Sequence, residues 1–254
     1  MDASNFNIHR VEWDSRKVGR FWSYLTSTPH AERSYFSGLF GDRILTIAEQ
    51  HLPLRDARIL DYGCGPGLLL KKMLDRRFHA SGLEFSEESA KKARSHCQNY
   101  STFGGVAVAS QLPSSVKPHS VDVVFLVEVI EHLLPHEREQ TLQEITRLLA
   151  PGGHLVLTTP HNEDLGRVET VCPDCGCVFH PWQHVSSFSI ESLSGLLRNY
   201  GFEPSLCRAT TLDARWSGRL LRKARRLIRG RKAEADEPHL FYIGRRTPGI
   251  RPFG

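Results

Sequence analysis

Residues 58–67 read Arg-Ile-Leu-Asp-Tyr-Gly-Cys-Gly-Pro-Gly, and this stretch decides the fold. A short apolar run leads into Asp61, and three glycines follow at alternate positions, Gly63, Gly65 and Gly67. Glycines permit the backbone angles of a tight turn and let a ligand lie against the peptide groups. The apolar run over 68–74 predicts a helix whose first N–H groups face the same place. The stretch therefore predicts a strand, a ligand-binding turn and a helix.

A second acidic residue strengthens this interpretation. Glu84 follows Asp61 by twenty-three residues and ends a predicted strand over 79–84, where a carboxylate can accept both hydroxyls of a ribose. A dinucleotide dehydrogenase would need a third glycine at the position of Leu68. The pattern favours a nucleoside ligand of another kind.

The turn and the two acids resemble the nucleoside-binding motif of class I S-adenosylmethionine-dependent methyltransferases. The Pro-Gly-Gly turn at 151–153 also resembles that family, and the likeness covers about residues 55–160. It implies S-adenosyl-L-methionine as the cofactor. An Asp that commonly binds adenine in the family is replaced here by Val108, so the Ser110 hydroxyl and the backbone of Ala109 are expected to substitute. The cofactor-binding residues that the resemblance implies are Asp61, Gly63, Gly65, Gly67, Glu84, Phe85, Ser110 and Glu128.

Strand and helix patterns alternate from 58 to 160, which predicts an α/β fold with a parallel sheet. We expect a Rossmann-like sheet of seven strands, mostly parallel with an antiparallel last strand, and helices on both faces. Residues 1–57 show aromatic and apolar residues at helical spacing and no strand pattern, so they predict an N-terminal helical cap. The methyltransferase domain is expected at 58–254, with a Cys/His-rich insertion at 161–189 and a basic amphipathic helix at 212–233. Tyr24, Arg33 and Tyr35 are candidates for lining the pocket from the cap.

The chain has 254 residues, a formal net charge of +5 and six cysteines. Its first residues do not resemble a signal peptide and no apolar run is long enough to cross a membrane, so a cytoplasmic protein with reduced thiols is expected. The positive charge is concentrated in 215–232. An apolar stripe beginning at Trp216 makes this segment suited to an anionic membrane surface. A helix packed on the domain with a solvated basic face is the equal alternative, and contact with RNA is the third.

Two acids and an imidazole follow the predicted fourth strand, at Glu128, Glu131 and His132. His132 is the first candidate for a general base and His161, after the fifth strand, is the second. Alternatively Glu131 is a solvated helix residue, Glu128 packs near the cofactor and His132 is a hydrogen-bonded residue of the pocket lining. In a third interpretation the three residues share one face of a helical turn and bind a metal ion with a fourth ligand from elsewhere. The Glu-x-x-Glu-His spacing resembles both the small-RNA 3′-terminal 2′-O-methyltransferases and the ubiquinone O-methyltransferases.

The insertion contains a Cys-x-x-Cys pair followed by two histidines. Cys172, Cys175, His180 and His184 could complete a tetrahedral zinc site, with Cys177 as an alternative ligand. The competing assignment gives His184 to the Glu128, Glu131 and His132 group, because it occupies the place of a late histidine in the small-RNA family. We expect zinc at the cysteines in preference to the alternatives.

These features predict a methyltransferase that acts on an oxygen atom of a small molecule, a glycan or a lipid-linked acceptor. Methylation of an RNA 3′ end with metal assistance is the first alternative, so a nucleic-acid partner is kept as the less favoured possibility. A non-catalytic scaffold that binds S-adenosylmethionine is the second alternative, and the paired acids Asp61 and Glu84 argue against it.

Overall fold

A computed structural model describes residues 6–28, 35–212 and 238–247. The predicted basic helix and Arg33 lie outside these residues. The strands and helices of the described residues are, in chain order, β1 (His9–Arg10), α1 (Ser15–Ser27), α2 (Phe36–Glu49), β2 (Arg58–Tyr62), α3 (Leu68–Asp75), β3 (His79–Glu84), α4 (Glu87–Cys97), β4 (Phe103–Val108), β5 (Val121–Val127), α5 (Pro135–Leu148), β6 (Leu149–Pro160), β7 (Thr170–Val171), β8 (Cys177–Phe179), α6 (Ile190–Arg198), β9 (Phe202–Thr210) and β10 (His239–Arg246).

Seven strands form one sheet in the order β4-β3-β2-β5-β6-β10-β9. Neighbouring strands from β4 to β6 are parallel, and β10 is antiparallel to both β6 and β9. The predicted fold class is therefore confirmed. From β2 the chain adds β3 and β4 on one side of the sheet, and from β5 it adds β6 on the other side, so the strand order reverses between β2 and β5. Ligands in open α/β sheets bind at such a reversal, beyond the carboxyl ends of the strands.

Two apolar cores cover the two faces of the sheet. Alternate residues of each strand point to opposite faces, so Ile59 and Leu60 of β2 belong to different cores. Helices α2, α3 and α4 pack on the Ile59 side, and α5 and α6 pack on the Leu60 side. In β5 the fully buried pair Val124 and Phe125 repeats this division. Strands covered on both faces explain the nearly continuous apolar sequence of β5.

A second, three-stranded sheet joins the start of the chain to the insertion. β1 pairs in parallel with β8, and β8 pairs antiparallel with β7. The sequence predicted no strand within residues 1–57, and that expectation is wrong for His9–Arg10. A two-residue strand carries no periodic signal of its own, and this one exists only because β8 offers an edge. Gly176 makes the approach possible, since its added Cβ would meet the Asn7 carbonyl oxygen.

Candidate functional site

A cavity of about 1680 Å³ lies at the carboxyl ends of β2, β3 and β5. Its walls come from the glycine turn, the ends of these strands, helices α1, α2 and α5, and both ends of the insertion. Pockets for one drug-sized ligand are usually roughly 300 to 1000 Å³. The cavity therefore has room for a nucleoside cofactor and an acceptor together.

The glycine turn has the strained backbone that its sequence predicts. Gly63 and Gly65 have φ angles of +73° and +52°, in the left-handed region, and both line the cavity. The N–H groups of Gly63 and Cys64 donate to the Leu83 carbonyl at 2.8 and 3.2 Å, which fixes the turn against β3. The nearest atom to an added Cβ on Gly65 is Tyr35 Cε1, at 3.5 Å. The turn thus presents backbone rather than side chains to a ligand.

Gly67 lies apart from the other two glycines of the turn, and its predicted contact with the cofactor stays a prediction. It precedes α3 with φ at +82°, and it does not line the cavity. A Cβ at this position would lie 2.9 Å from both Cα and Cβ of Ala93 in α4. The structure therefore places Gly67 at a close helix contact, where it lets α3 and α4 pack together.

Glu84 is held by backbone N–H groups on both carboxylate oxygens. Gly65 N donates to Oε2 at 2.8 Å, and Phe85 N and Ser86 N each donate to Oε1 at 2.9 Å. Burial raises the pKa of Glu84, and these three donors oppose that rise. The Oε2 atom accepts only one of these bonds and so keeps a lone pair for a ligand hydroxyl. The carboxylate is a fixed acceptor at the cavity wall, as a ribose site requires.

Asp61 lies behind the turn rather than on the cavity wall. The residue is 3% exposed, and its Oδ2 atom has no hydrogen-bond partner. Burial and the nearby Glu84 raise the pKa of Asp61 to about 7. The backbone N–H of Leu70 in α3 opposes this rise. The structure thus places Asp61 beside the first turn of α3, and its predicted contact with the cofactor stays a prediction.

The wall beyond Glu84 is mainly apolar. Phe85 is 45% exposed, and its ring centroid is 5.8 Å from that of Tyr62. Ser110 also lines the cavity, on the segment after β4. Val108, at the position expected for an adenine-binding Asp, pairs with Glu84 across β3 and β4. Phe85 and Ser110 are thus placed at the expected adenine end, and their contact with the cofactor stays a prediction.

A family model described as a methyltransferase domain matches residues 15–205 of the 254 in the chain. The chain belongs to the methyltransferase-domain family. The predicted membership of the class I S-adenosylmethionine-dependent methyltransferases is confirmed, and so is the cofactor class.

Curated relatives of this methyltransferase include ubiquinone biosynthesis O-methyltransferases. The protein from Vibrio cholerae is 29% identical over 118 residues, covering 46% of this chain and 47% of the relative. The protein from Caulobacter sp. is 34% identical over 109 residues, or 42% of each chain. The methyltransferase therefore spans less than half of the length of these relatives.

Solved structures confirm the fold over nearly the whole chain. The 1,6-didemethyltoxoflavin-N1-methyltransferase of Burkholderia thailandensis, solved with S-adenosylhomocysteine, has a TM-score of 0.64 at 16% identity and covers 97% of both chains. A putative methyltransferase of Haloferax volcanii, solved with the activator Trm112, has a TM-score of 0.62 at 19% identity and covers 93% of this chain and all of that one.

Glu128 begins the acidic side of the cavity in the methyltransferase. It follows β5 with φ at +50°, an unusual conformation for a residue with a side chain. Burial raises its pKa to about 8. Its Oε2 atom is 4.0 Å from Nδ1 of His239, at the start of the antiparallel strand β10. His239 carries no signal in the sequence, because only the antiparallel direction of β10 brings its first residue to this end of the sheet.

Glu131 and His132 lie on a single 3-10 turn, Ile130–His132. The Glu131 side chain is 1% exposed; Thr159 donates to its Oε2 atom at 3.0 Å, and its Oε1 atom has no hydrogen-bond partner. His132 Nε2 is 3.8 Å from that Oε1 atom. Burial, followed by the nearby His184, lowers the pKa of His132 to about 3, so the ring is neutral.

The insertion brings His180, His184 and Glu163 against this turn. The rings of His180 and His184 stack with centroids 4.4 Å apart, and His184 is 4.8 Å from the His132 ring. Two groups of three metal-competent atoms result, each within 4.8 Å: Glu131, His132 and His184 in one, and Glu163, His180 and His184 in the other. Glu128 belongs to neither group. Of the three residues predicted to share one helical face and bind a metal ion, Glu131 and His132 thus belong to the same group and Glu128 does not.

The predicted zinc quartet is not assembled in the described part of the chain. Cys172 and Cys175 lie in the turn between β7 and β8, where Cys175 is exposed. Backbone N–H groups of Cys175 and Asp174 lower the pKa of the Cys172 thiol. The histidines belong instead to groups whose other members are carboxylates and His132. Zinc at the cysteines stays a prediction, without the two histidines as partners.

Trp22 connects the cap to the insertion and to the site. Its Nε1–H group donates to Gln183 Oε1 at 2.8 Å, and Gln183 Nε2 donates to the His132 carbonyl at 2.9 Å. The Trp22 and His132 rings meet edge to face, 4.8 Å apart. Gln183 is fully buried. The sequence marked Trp22 as one of many cap aromatics and gave no signal for Gln183.

Other predicted residues have clear positions. His161 follows β6, lines the cavity and pairs through a parallel bridge with Phe188. Tyr35 lines the cavity, whereas Tyr24 is 70% exposed and lies outside its wall. No helix in the described ranges has both the length and the apolar character needed to span a bilayer.

Proposed function

We propose that the protein transfers a methyl group from S-adenosylmethionine to a hydroxyl oxygen of a small molecule, a glycan or a lipid-linked acceptor. One observation carries the proposal: a single large cavity joins the fixed carboxylate of Glu84 to a second region lined by His161, Glu128 and His239. The first region suits a ribose, and the second offers groups that can accept a hydroxyl proton. The oxygen-specific names of the curated relatives support the choice of acceptor atom.

The reaction is an in-line displacement at the sulfonium methyl group, so alignment and exclusion of water contribute most of the catalysis. A base assists when the acceptor hydroxyl loses its proton. His161 is the better placed of the two predicted bases, because it lines the cavity outside the carboxylate and histidine groups. His132 is enclosed between Trp22 and His184 and serves as the second candidate.

The cofactor site is tested by calorimetric titration of S-adenosylmethionine into the wild-type protein and into Glu84→Ala. We expect binding to the wild type and a large loss in the variant, with Glu139→Ala, an exposed acid on α5, as the control that retains binding. Transfer is then measured with methyl-labelled cofactor and a panel of catechols and lipid-linked sugars. Absence of cofactor binding in the wild type would refute the proposal.

Methylation of an RNA 3′ end is the second candidate function. The group of Glu131, His132 and His184 favours it, because two imidazoles and a carboxylate can hold a divalent ion at the cavity wall. A bound ion would supply a Lewis acid beside the acceptor oxygen. This candidate predicts label transfer to a short RNA with free 2′ and 3′ hydroxyls, loss of transfer in Glu131→Ala, and binding that weakens steeply with salt. Transfer to catechols or lipid-linked sugars alone would exclude it.

The basic segment 216–232 supports a lipid-linked acceptor from its sequence. Its lysines and arginines would attract the protein to an anionic membrane surface. Co-sedimentation with phosphatidylglycerol vesicles, compared with phosphatidylcholine vesicles at the same salt concentration, tests this contact. Equal binding to both vesicle types would remove the membrane from the proposal.

A further inference from the structure

The charged residues that line the cavity are of one sign. The described residues in its wall include neither a lysine nor an arginine, and they include the glutamates Glu84, Glu128, Glu131, Glu137 and Glu163. The chain as a whole has a formal net charge of +5. The lysines and arginines of the described residues form their ion pairs with other acids, as Arg147 does with Glu144. The cavity wall is therefore formally acidic in a formally basic protein.

The ion pairs of these glutamates supply no permanent positive charge. An imidazole is largely neutral near pH 7 unless its pKa is raised. Burial lowers the pKa of His132 to about 3, and it also lowers the pKa of His180. In the described part of the chain, each ion pair found for the glutamates of the wall is with a histidine: Glu128 with His239, Glu131 with His132, Glu137 with His136, and Glu163 with His180 and His184.

Two carboxylate oxygens at the acceptor end of the wall are buried without a hydrogen bond. They are Oε1 of Glu128 and Oε1 of Glu131, whose side chain is 1% exposed. An ionised carboxylate only accepts hydrogen bonds, so each oxygen needs a donor or a cation. Burial raises the pKa of Glu131, and the nearby Glu128 raises it further. A positive charge beside the two carboxylates would relieve this repulsion.

Aromatic rings lie beside the same carboxylates. His239 Nδ1 is 4.0 Å from Glu128 Oε2, and the ring of Phe36 in α2 is 4.7 Å from the His239 ring. Phe36 and Trp22 both line the cavity. A cation within about 6 Å of an aromatic ring is attracted to the face of that ring. An ammonium group at this place would therefore meet carboxylate oxygens and aromatic faces together.

We infer that the acceptor end of the cavity binds a protonated amine, so that the methyl acceptor is a hydroxyl compound that also carries an ammonium group, and that Glu128 determines this preference. The inference rests on the proposed function, because it requires this region of the cavity to hold the acceptor. It disfavours acceptors whose phosphate or carboxylate group would enter the cavity, since the glutamates repel an anion.

Calorimetric titration of three catechols of different charge tests the preference. Dopamine, 4-methylcatechol and 3,4-dihydroxyphenylacetate share the ring and its hydroxyls, and they are cationic, neutral and anionic near neutral pH. Each is titrated into the full-length protein saturated with S-adenosylhomocysteine, in the presence of EDTA so that no metal ion contributes. We expect dopamine to bind roughly 10- to 100-fold more tightly than 4-methylcatechol, and the anionic catechol to bind most weakly.

Glu128→Gln removes the charge of the side chain and keeps its size. The variant should bind S-adenosylhomocysteine as the wild type does and should lose most of the preference for dopamine over 4-methylcatechol. Glu139→Ala removes an exposed acid of α5 and is the matched control, which should keep the wild-type preference. Thermal unfolding of each variant confirms that it is folded.

Three results would overturn the inference: no binding of dopamine to the wild-type complex, equal or tighter binding of the neutral or anionic catechol, or a dopamine preference that Glu128→Gln leaves unchanged. Loss of S-adenosylhomocysteine binding in Glu128→Gln would assign this carboxylate to the cofactor and would also overturn it. Failure of the wild type to bind S-adenosylhomocysteine would refute the proposed function and the inference together, whereas the other results leave cofactor binding by the wild type intact.

Discussion

Substitution of Gly67 by alanine should damage stability more than cofactor binding. The new methyl group would lie 2.9 Å from the backbone Cα of Ala93 and from its Cβ, which has no torsion angle that could move it away. Overpacking of this kind costs about 1 to 3 kcal/mol. Holding a residue other than glycine at the observed φ of +82° adds roughly 1 to 2 kcal/mol. The free energy of unfolding should therefore fall by roughly 2 to 5 kcal/mol.

Thermal and urea unfolding measure this change. A loss near 3 kcal/mol corresponds to a melting temperature roughly 6 to 12 °C lower in a chain of this size. Gly65→Ala is the matched comparison, because its φ of +52° is also left-handed but its nearest neighbour is at 3.5 Å. It should lose only the backbone contribution, about 1 to 2 kcal/mol, while weakening binding of S-adenosylmethionine, since Gly65 lines the cavity.

Gly195→Ala is the control for handling and assay. Its Cβ would meet nothing within 4 Å, and it lies within α6, where alanine is favoured over glycine. If Gly67→Ala unfolded at the wild-type temperature, or lost stability no more than Gly65→Ala, the close contact between α3 and α4 would not be the reason for a glycine at position 67.

Three further predictions concern other contacts. Glu84→Gln should raise the dissociation constant for S-adenosylmethionine roughly 10- to 100-fold in calorimetry, because a hydrogen bond to a charged acceptor contributes about 1.5 to 3 kcal/mol. An unchanged dissociation constant would contradict the assignment of Glu84 as the acceptor of the ribose hydroxyls. Asp61→Asn should become more stable relative to the wild type as pH rises from about 4 to about 7. The folded wild-type protein raises the pKa of Asp61 to about 7, so it loses stability over this range, whereas the variant has no ionisable group at this position. Urea unfolding across that range measures the difference, which a pH-independent offset would refute. Trp22→Phe should lower the free energy of unfolding by about 1 to 3 kcal/mol, because the buried Gln183 oxygen would lose its hydrogen-bond donor. Trp182→Phe is the control and should change stability little, because the Trp182 ring is 48% exposed. Equal losses in the two variants would show that the bond from Trp22 to Gln183 is not the cause.

The sheet could be predicted because its signals are local. The turn after Asp61, the apolar run of β5 and the Pro-Gly-Gly turn each specify one connection, and the rules for parallel crossovers supply the rest. The distinction between Gly65 and Gly67 could not be predicted in this way. Both have left-handed backbones, but only the packing of α3 on α4 determines which one faces a ligand.

The insertion was harder to predict because its contacts are distant in sequence. Spacing alone grouped His180 and His184 with the two nearby cysteines. In the structure the two carboxylate oxygens of Glu163 bridge the His180 and His184 rings, and the cysteines remain in the β7–β8 turn. Glu163 lies seventeen residues before His180 and twenty-one before His184, and a separation of this length produces no periodic pattern in the sequence. The alternative prediction, which assigned His184 to the group of Glu128, Glu131 and His132, agrees with the position of His184 beside Glu131 and His132.

The small sheet and the bond from Trp22 to Gln183 have a practical consequence for protein engineering. A shortened chain that begins at α2 would expose the unpaired edge of β8 and strip a hydrogen-bond donor from a fully buried amide. Such a truncation would keep the whole seven-stranded sheet and the glycine turn, yet lose the segment against which the insertion folds. If the truncated protein were inactive, the cause would be the loss of structure in the insertion, and the result would not identify the residues that perform the chemistry.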